Sequence, residues 1–234
     1  MIDWHSHILP NMDDGSRNVA ESLNMLRMLS TQGADTVIAT PHFYANAESV
    51  ESFLKRRERA YKLLEAEDLS TAPKILLGAE VKYYSGISGM SNLQDLCIKG
   101  TNLLLLEMPF SEWTGYTVRE LDTLARSKGI VLILAHVERY WAFQKPDVWN
   151  RLRNDGIILQ VNAEFFADFF TRRKALRQLV GGGVHVLGSD CHNLTSRAPR
   201  LGKAYEVIGK KLGERFVDQM SGFEKSLLLK HIIK

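Results

Sequence analysis

Gly129-Ile130-Val131-Leu132-Ile133-Leu134-Ala135-His136-Val137-Glu138-Arg139-Tyr140 condenses the plan of this chain. Its six apolar residues, Ile130 to Ala135, show no alternation with polar ones. A strand with one wet face alternates, whereas a strand buried on both faces, as in a parallel sheet, does not. The run ends abruptly in His, Glu and Arg. Outward from it the same grammar recurs. Apolar runs of four to six residues occupy Met1–Trp4, Thr36–Ala39, Lys74–Ala79, Asn102–Leu106, Ile157–Val161 and His185–Gly188. Segments rich in helix formers separate them: Asn18–Gln32, Glu48–Glu67, Thr117–Lys128, Asp147–Asn154 and Ala163–Val180. Gly33, Gly129 and Gly156 each stand where a helix C-terminal cap is expected. Strands alternating with helices predict an α/β fold, either a barrel or a doubly wound sheet. Lys82–Lys99, with Gly86 and Gly89, breaks the pattern and reads as a loop or small excursion. The tail Glu214–Lys234 reads as a helix whose stripe of Leu227, Leu228, Ile232 and Ile233 closes one end of the barrel; an oligomer contact is the lesser reading.

No internal repeat, low-complexity tract or Pro/Gly-rich linker divides the 234 residues, so residues 1–234 are read as one domain. With 45% hydrophobic and 24% charged residues, disorder, collagen and a disulfide scaffold are excluded. The formal charge of +3 is far below the basic excess of a dedicated nucleic-acid binder, and no nucleic-acid partner is expected. The N-terminus lacks a basic segment followed by an apolar core, and the longest apolar run has six residues where a membrane span needs about 20. A cytoplasmic protein without membrane insertion is the expectation. Cys97 and Cys191 could form one bridge, but nothing in the sequence suggests an oxidising compartment.

The chemistry lies just past the end of each run. His5 and His7 succeed the first, His42 the second, Glu80 the third and Glu107 the fourth; His136, Glu138 and Arg139 succeed the fifth, Asn162 the sixth, and Ser189, Asp190 and His192 the seventh. In a parallel barrel these strand ends converge on the face that carries active sites. Imidazoles and carboxylates without a thiolate cluster suit Mn, Fe or Zn and argue against calcium or a structural zinc. With Asp14 the candidate ligands number nine: His5, His7, Asp14, His42, Glu80, Glu107, His136, Asp190 and His192. That is too many for one ion. Two or three ions sharing carboxylates would use them, an arrangement typical of phosphoester hydrolysis.

The segments His5-Ser-His7-Ile-Leu-Pro…Asp13-Asp14-Gly15, Thr40-Pro41-His42, Gly78-Ala79-Glu80, Ala135-His136-Val-Glu-Arg139-Tyr140 and Ser189-Asp190-Cys-His192-Asn193 resemble the PHP (polymerase and histidinol phosphatase) superfamily. More narrowly, the chain resembles the bacterial metal-dependent tyrosine-protein phosphatases of capsule and exopolysaccharide loci, over essentially its whole length. The resemblance implies a distorted (β/α)7 TIM-like barrel of the PHP type and a trinuclear site, usually manganese. It implies that His5, His7, Glu80 and Asp190 hold one ion, Glu80, Glu107 and His136 a second, and Asp14, His42 and His192 a third. Arg139 and Arg197 match the family's phosphate-contacting arginines. The implied reaction is in-line attack by a hydroxide bridging two ions, on a phosphotyrosine protein; the implied partner is the autophosphorylated bacterial tyrosine kinase that governs polysaccharide synthesis. The chain departs from the family in the loop Pro109–Tyr116 and in lacking an Asn-Pro turn before the last helix.

Histidinol-phosphate phosphatase shares such a site and is the alternative; a catalytically silent PHP module would be expected to lack ligands. A second phosphatase signature, Cys191 and Arg197 separated by five residues, is set aside, because the intervening residues include no glycine and Asp190 would raise the thiol pKa. His185 and His231 read as structural. Tyr44, Tyr83, Trp113, Tyr116 and Phe165 are candidate walls for an aromatic ring, with core packing equally open for each. Gly181-Gly182-Gly183 precedes a strand and reads as a turn. The basic groups Lys55-Arg56-Arg57-Arg59 and Arg172-Arg173-Lys174 read as solvated helix faces, with docking of an anionic partner as the functional alternative.

Overall fold

The structure is a computed structural model describing residues 1–127 and 129–233; Lys128, at the end of the expected third helix, and Lys234 in the expected tail helix lie outside the described residues. Among the described residues nine strand segments occur, most of them separated by helices: β1 (Ile2–Ser6), β2 (Thr36–Ala39), β3 (His42–Phe43), β4 (Lys74–Leu77), β5 (Glu80–Lys82), β6 (Leu103–Glu107), β7 (Val131–Leu134), β8 (Ile158–Asn162) and β9 (Val186–Gly188). Every pairing is parallel, as the unalternated runs require. One sheet runs β1-β2-β4 and the other β3-β5-β6-β7-β8-β9, and a Ser6–Cys191 bridge joins the first strand to the residues after the last. The expected strand Thr36–Ala39 is β2 and the expected strand Lys74–Ala79 ends two residues early as β4; after a short break each is followed by a further strand, β3 or β5. Pro41 has no N–H to donate, and the break at Thr40-Pro41 lies beside the one at Gly78-Ala79, across which Glu80 N–H donates to the Pro41 carbonyl.

Both faces of the sheet are buried. Leu103, Leu105, Ile133 and Ala135 point into an inner cluster with Ile2, Trp4 and Ile38, while Leu104, Leu106, Leu132 and Leu134 face the outer core under the helices. The α-helices among the described residues are, in order, α1 (Val19–Thr31), α2 (Val50–Glu65), α3 (Gly115–Ser127), α4 (Pro146–Asn154), α5 (Ala163–Ala167), α6 (Arg172–Val180), α7 (Leu201–Leu212) and α8 (Glu214–Lys230). The expected single helix Ala163–Val180 is two. Asp168 Oδ1 accepts from the N–H of Phe170 and Thr171, offering the backbone a side-chain turn in place of a helical one. The Lys82–Lys99 excursion carries two short 3-10 helices, and α7 is an element the sequence reading did not resolve. From α8, Leu227 plugs the inner cluster while Ile232 and Ile233 stay exposed. Arg57 departs from the expected solvated face. It is buried, donates to the Gly78 carbonyl at 2.7 Å, and burial pulls its guanidinium down to about 10. Among the described residues, no helix is long and apolar enough to cross a membrane.

Candidate metal centre

The C-terminal ends of the strands bring all nine candidate ligands together. His5 lies near the end of β1 and His7 just beyond it; β3 opens with His42, β5 with Glu80, and β6 closes with Glu107. Close backbone approach makes this convergence possible. A Cβ on Gly188 would sit 2.5 Å from His5 Cβ, and one on Gly15 would sit 2.4 Å from the His7 carbonyl oxygen, so neither position takes another residue without a shift. His136 and Asp190 sit after their strands at φ of 35° and 50°, a left-handed conformation that costs non-glycine residues energy and clusters at functional sites. Each is pinned there: His136 N–H donates to Gln160 Oε1 at 2.7 Å, and Asp190 N–H to the His5 carbonyl at 2.7 Å.

The electrostatics of the cluster call for positive charge at its centre. The Nε2 atoms of His5 and His7 face each other at 3.1 Å. Their Nδ1 atoms meet Gln160 Oε1 at 3.2 Å and Asp13 Oδ2 at 2.7 Å, a network that assigns the ring protons to Nδ1 and leaves two Nε2 lone pairs opposed. Glu80 sits among them, with Oε2 3.3 Å from His5 Nε2, 3.4 Å from His7 Nε2 and 2.8 Å from His42 Nδ1, and Oε1 2.9 Å from His136 Nε2. Glu80 Oε2, His42 Nδ1 and His192 Nε2 are buried without a hydrogen-bond partner among the described residues. Such orphaned acceptors are costly unless something electropositive meets them. With no cation bound, burial disfavours the charged His7 ring, but hydrogen bonds to Asp13 and Glu80 prevail and raise its pKa to about 10, so Nε2 draws positive charge either as a proton or as a cation that replaces it. Burial likewise pushes against ionisation of Glu80, yet the imidazoles around it hold its carboxyl well below the usual range.

The donor atoms form four groups, each within 4.8 Å: His7 with Asp14, His42 and His192; His5 with His7 and Asp190; His5 with Glu80 and His136; and His42 with Glu80 and Glu107. Every one of the nine expected residues falls in at least one group. The grouping differs in detail from the family-derived division, since His7 reaches the Asp14 set and Glu107 groups with His42. Four carboxylates and five imidazoles, sharing Glu80 and His7 between groups, fit more than one divalent cation of nitrogen- and oxygen-preferring type. Arg139 and Arg197 approach from the rim, donating to Asp190 Oδ2 at 2.9 Å and Oδ1 at 2.8 Å.

The family model for capsular polysaccharide synthesis, CpsB/CapC, matches residues 1–229. The chain belongs to this family. Among CpsB/CapC relatives, it is 34% identical to the tyrosine-protein phosphatase CpsB of Streptococcus pneumoniae, over 93% of this chain and 96% of that one. It is 30% identical to the tyrosine-protein phosphatase YwqE of Bacillus subtilis, over 91% and 85% of the respective chains. A chain from the crystal structures of YwqE and CpsB, described as unique metal-dependent tyrosine phosphatases, covers all of this chain with a TM-score of 0.84 and 27% identity.

In this CpsB/CapC chain the sequence alone assigns no role to the residues that orient the ligands, although Asp13, Tyr140 and Asn162 stand in the motifs or at a strand end. Asp13 Oδ2 takes the His7 Nδ1 proton and the His42 N–H (2.9 Å), while its Oδ1 accepts from Gly15 N–H. Its place beside Asp14 was a usable signal. Gln160 bonds the His136 backbone and His5, and through Asn162 reaches Asp190, whose Oδ2 accepts from Asn162 Nδ2 at 2.8 Å. Tyr140 OH lies 3.1 Å from His136 Nδ1, and Lys82 Nζ donates to Glu107 at 2.8 Å.

The aromatic candidates divide. Tyr44 is exposed, its ring 5.4 Å from that of His42. Phe110, not anticipated, is exposed and stacks 5.9 Å from His136. Trp113 is buried against Tyr140, Tyr83 is tied to Glu120 at 2.6 Å, and Phe165 packs on Trp141; Tyr116 is exposed. Cys191 is fully buried, and burial together with the Asp3 charge pushes its thiol far up, away from a thiolate. His185 Nδ1 accepts from the Leu159 N–H and His231 meets Asn102, both outside the cluster.

Proposed function

We propose that the chain is a metal-dependent protein-tyrosine phosphatase acting on a phosphotyrosine-bearing protein, with the autophosphorylated tyrosine kinase of polysaccharide synthesis as its partner and manganese as its metal. The convergence of nine imidazole and carboxylate residues around opposed lone pairs, with two arginines at the rim, carries this reading. His5, His7, Glu80 and Asp190 would hold one ion, Glu80, Glu107 and His136 a second, and Asp14, His42 and His192 a third. Bound divalent ions supply Lewis-acid stabilisation of phosphoryl oxygens and an activated water at neutral pH.

The chain's own residues do the rest. Arg139 and Arg197, partly exposed and already presented to an anionic oxygen pair on Asp190, offer charge-assisted hydrogen bonds to a phosphoryl group. Asp13 and Gln160 fix the rings of His7 and His5, so the donor atoms need no reorganisation. Tyr44 and Phe110 flank His42 and His136 as faces for a phenyl ring. No protein nucleophile is required, and Cys191 supplies none. We read the nine strand segments as seven staves of a (β/α)7 barrel, counting β2 with β3 and β4 with β5, and place the protein in the cytoplasm.

Chelation followed by manganese addition tests the metal, with p-nitrophenyl phosphate turnover lost and then restored. Comparing kcat/KM for a phosphotyrosine peptide with that for histidinol phosphate tests the substrate. Preference for histidinol phosphate would overturn the phosphotyrosine assignment while leaving the metal chemistry standing.

A further inference from the structure

Two large aromatic side chains stand almost wholly in water beside the site. Phe169 is 72% exposed and Phe170 88%, their rings edge to face at 5.6 Å on the tip between α5 and α6. The tip is fastened at its base. Asp168 Oδ1 accepts from Phe170 N–H at 2.8 Å and Thr171 N–H at 3.1 Å, and the Thr171 hydroxyl donates to the Phe165 carbonyl at 2.7 Å. A fixed pair of exposed rings is a costly surface for a free protein and a cheap one to cover, because little ordering remains when a partner arrives.

Position and charge indicate what covers it. Asp168 and Thr171, on either side of the tip, line a cavity of about 460 Å³ that also includes Arg139, Asn162, Phe165 and two carboxylates, Glu138, which accepts from the Asn162 N–H, and Glu164, which pairs with Arg200 at 3.6 Å. A chain passing out of the site by Arg139 therefore meets the tip. Behind it, the Arg172 guanidinium lies 5.1 Å over the Phe169 ring and Lys174 Nζ lies 5.1 Å over Trp141, which itself packs on Phe165. Arg173 and Lys174 are exposed, and none of these three cations is in an ion pair among the described residues. Aromatic rings interleaved with unpaired cations, most of all arginines, suit a polypeptide bearing acidic and apolar side chains.

We propose that the Phe169–Phe170 tip, backed by Arg172, Arg173 and Lys174, docks the polypeptide flanking the phosphotyrosine and selects segments in which acidic residues accompany apolar ones. This rests on the phosphotyrosine-protein reading above. The tip sets affinity for the protein part of the substrate and leaves the chemical step alone. A membrane surface would also accept aromatic rings and cations, but the cavity shared with Arg139 ties the tip to the substrate path.

The test uses the metal-loaded protein and its Phe169→Ser/Phe170→Ser and Arg173→Glu/Lys174→Glu double variants. Substrates are p-nitrophenyl phosphate, histidinol phosphate, and phosphotyrosine peptides with acidic or basic flanks. In the phenylalanine variant, p-nitrophenyl phosphate kinetics should stay within about twofold, since the changes are on the surface. KM for the acidic peptide should rise about tenfold with kcat held, as expected for loss of an aromatic anchor. The charge-reversed variant should lose the preference for acidic over basic flanks. A wild-type peptide preference that survives both variants undiminished overturns the docking role alone, as does a parallel fall for the small substrate. Binding to anionic phosphatidylglycerol vesicles that disappears in the phenylalanine variant while peptide kinetics hold overturns it in favour of a membrane contact. Wild-type turnover of peptides no better than that of histidinol phosphate overturns the phosphotyrosine reading and the docking role with it.

Discussion

Two glutamates are buried at opposite ends of the parallel strands and ionise in opposite senses. Glu80, at the C-terminal end of the strands, is held well below the usual carboxylate range; Glu224, where α8 meets the start of β1, is pushed up to about 7. Both lose their hydration, so burial acts alike on them. The neighbours differ. Glu80 is ringed by His5, His7, His42 and His136, while the Tyr205 hydroxyl at 2.6 Å, the Ile2 N–H at 3.4 Å, the N-terminal ammonium and the Leu187 N–H offset the burial of Glu224 only in part. At the lower end donors meet acceptors and the cluster closes on itself. At the upper end the His5 and His7 Nε2 atoms oppose each other and Glu80 Oε2, His42 Nδ1 and His192 Nε2 stay unpartnered among the described residues, an arrangement that bound cations would complete. The two ends of the parallel strands thus separate stability from the proposed chemistry, the division known for parallel α/β barrels.

Removing the charge at the upper end should have the largest consequence. Glu80→Gln keeps the shape but leaves the surrounding imidazoles without their shared carboxylate. Turnover of p-nitrophenyl phosphate should fall by roughly 10³-fold, several kcal/mol of transition-state stabilisation, with bound metal reduced by at least one ion. Full metal content and activity in that variant would break the distinction between the ends. Asp13→Asn and Gln160→Leu act one bond further out, freeing the His7 and His5 rings to turn. Each should weaken metal binding by roughly 10- to 100-fold, read by titrating apo-protein with manganese, while saturating metal restores most of the turnover.

The upper cluster was legible because residue type and strand phase coincide there. A His or carboxylate directly after an unalternated apolar run can only project from the strand end, so His42, Glu80, Glu107 and His136 announced themselves. Gln160 did not, because it lies inside the run Ile157–Val161, where one polar residue among apolar ones reads as noise until its amide is seen bonding two ligands. Phe110 hid in an irregular loop whose path no local pattern fixes. The split of Ala163–Val180 turned on a single side chain, Asp168, competing with the helical backbone. The lower cluster was illegible throughout: Glu224 sits in an amphipathic tail, and only tertiary packing buries it.

At the lower end the sign of the pH effect comes from a raised pKa on an acid. Below about 4.5, the usual glutamate value, Glu224 is protonated both folded and unfolded, and it contributes no penalty. Between there and about 7 the unfolded chain releases the proton while the folded chain keeps it, so stability falls as pH rises and the loss is complete above 7. The full loss is of order 3 kcal/mol. Glu224→Gln should therefore gain most of that at pH 8 and little at pH 4.5, measured by urea unfolding at both. Equal gains at the two values would show that packing rather than ionisation separates the variants. Activity per folded molecule should not change.

Cys191 lies at the upper end, between Asp190 and His192, yet its substitution should have the smallest effect. It follows Asp190, bridges to Ser6, and its N–H donates to the Ser189 hydroxyl, whose partner is Asp3 of β1. Two carboxylates and complete burial keep the thiol protonated, so it can neither attack phosphorus nor compete as a thiolate ligand. Cys191→Ser exchanges sulfur for a smaller polar atom in the same pocket, and turnover should remain within about threefold once protein is folded and metal supplied. A loss comparable with Glu80→Gln, together with insensitivity to chelator, would move the chemistry from the imidazole–carboxylate cluster to the thiol and make Arg197 its phosphate-binding partner. The buried position argues otherwise: a nucleophile must reach solvent-borne substrate, and here the Cys191 side chain packs in the hydrophobic core while those of Asp190 and His192, flanking it in sequence, turn toward the site.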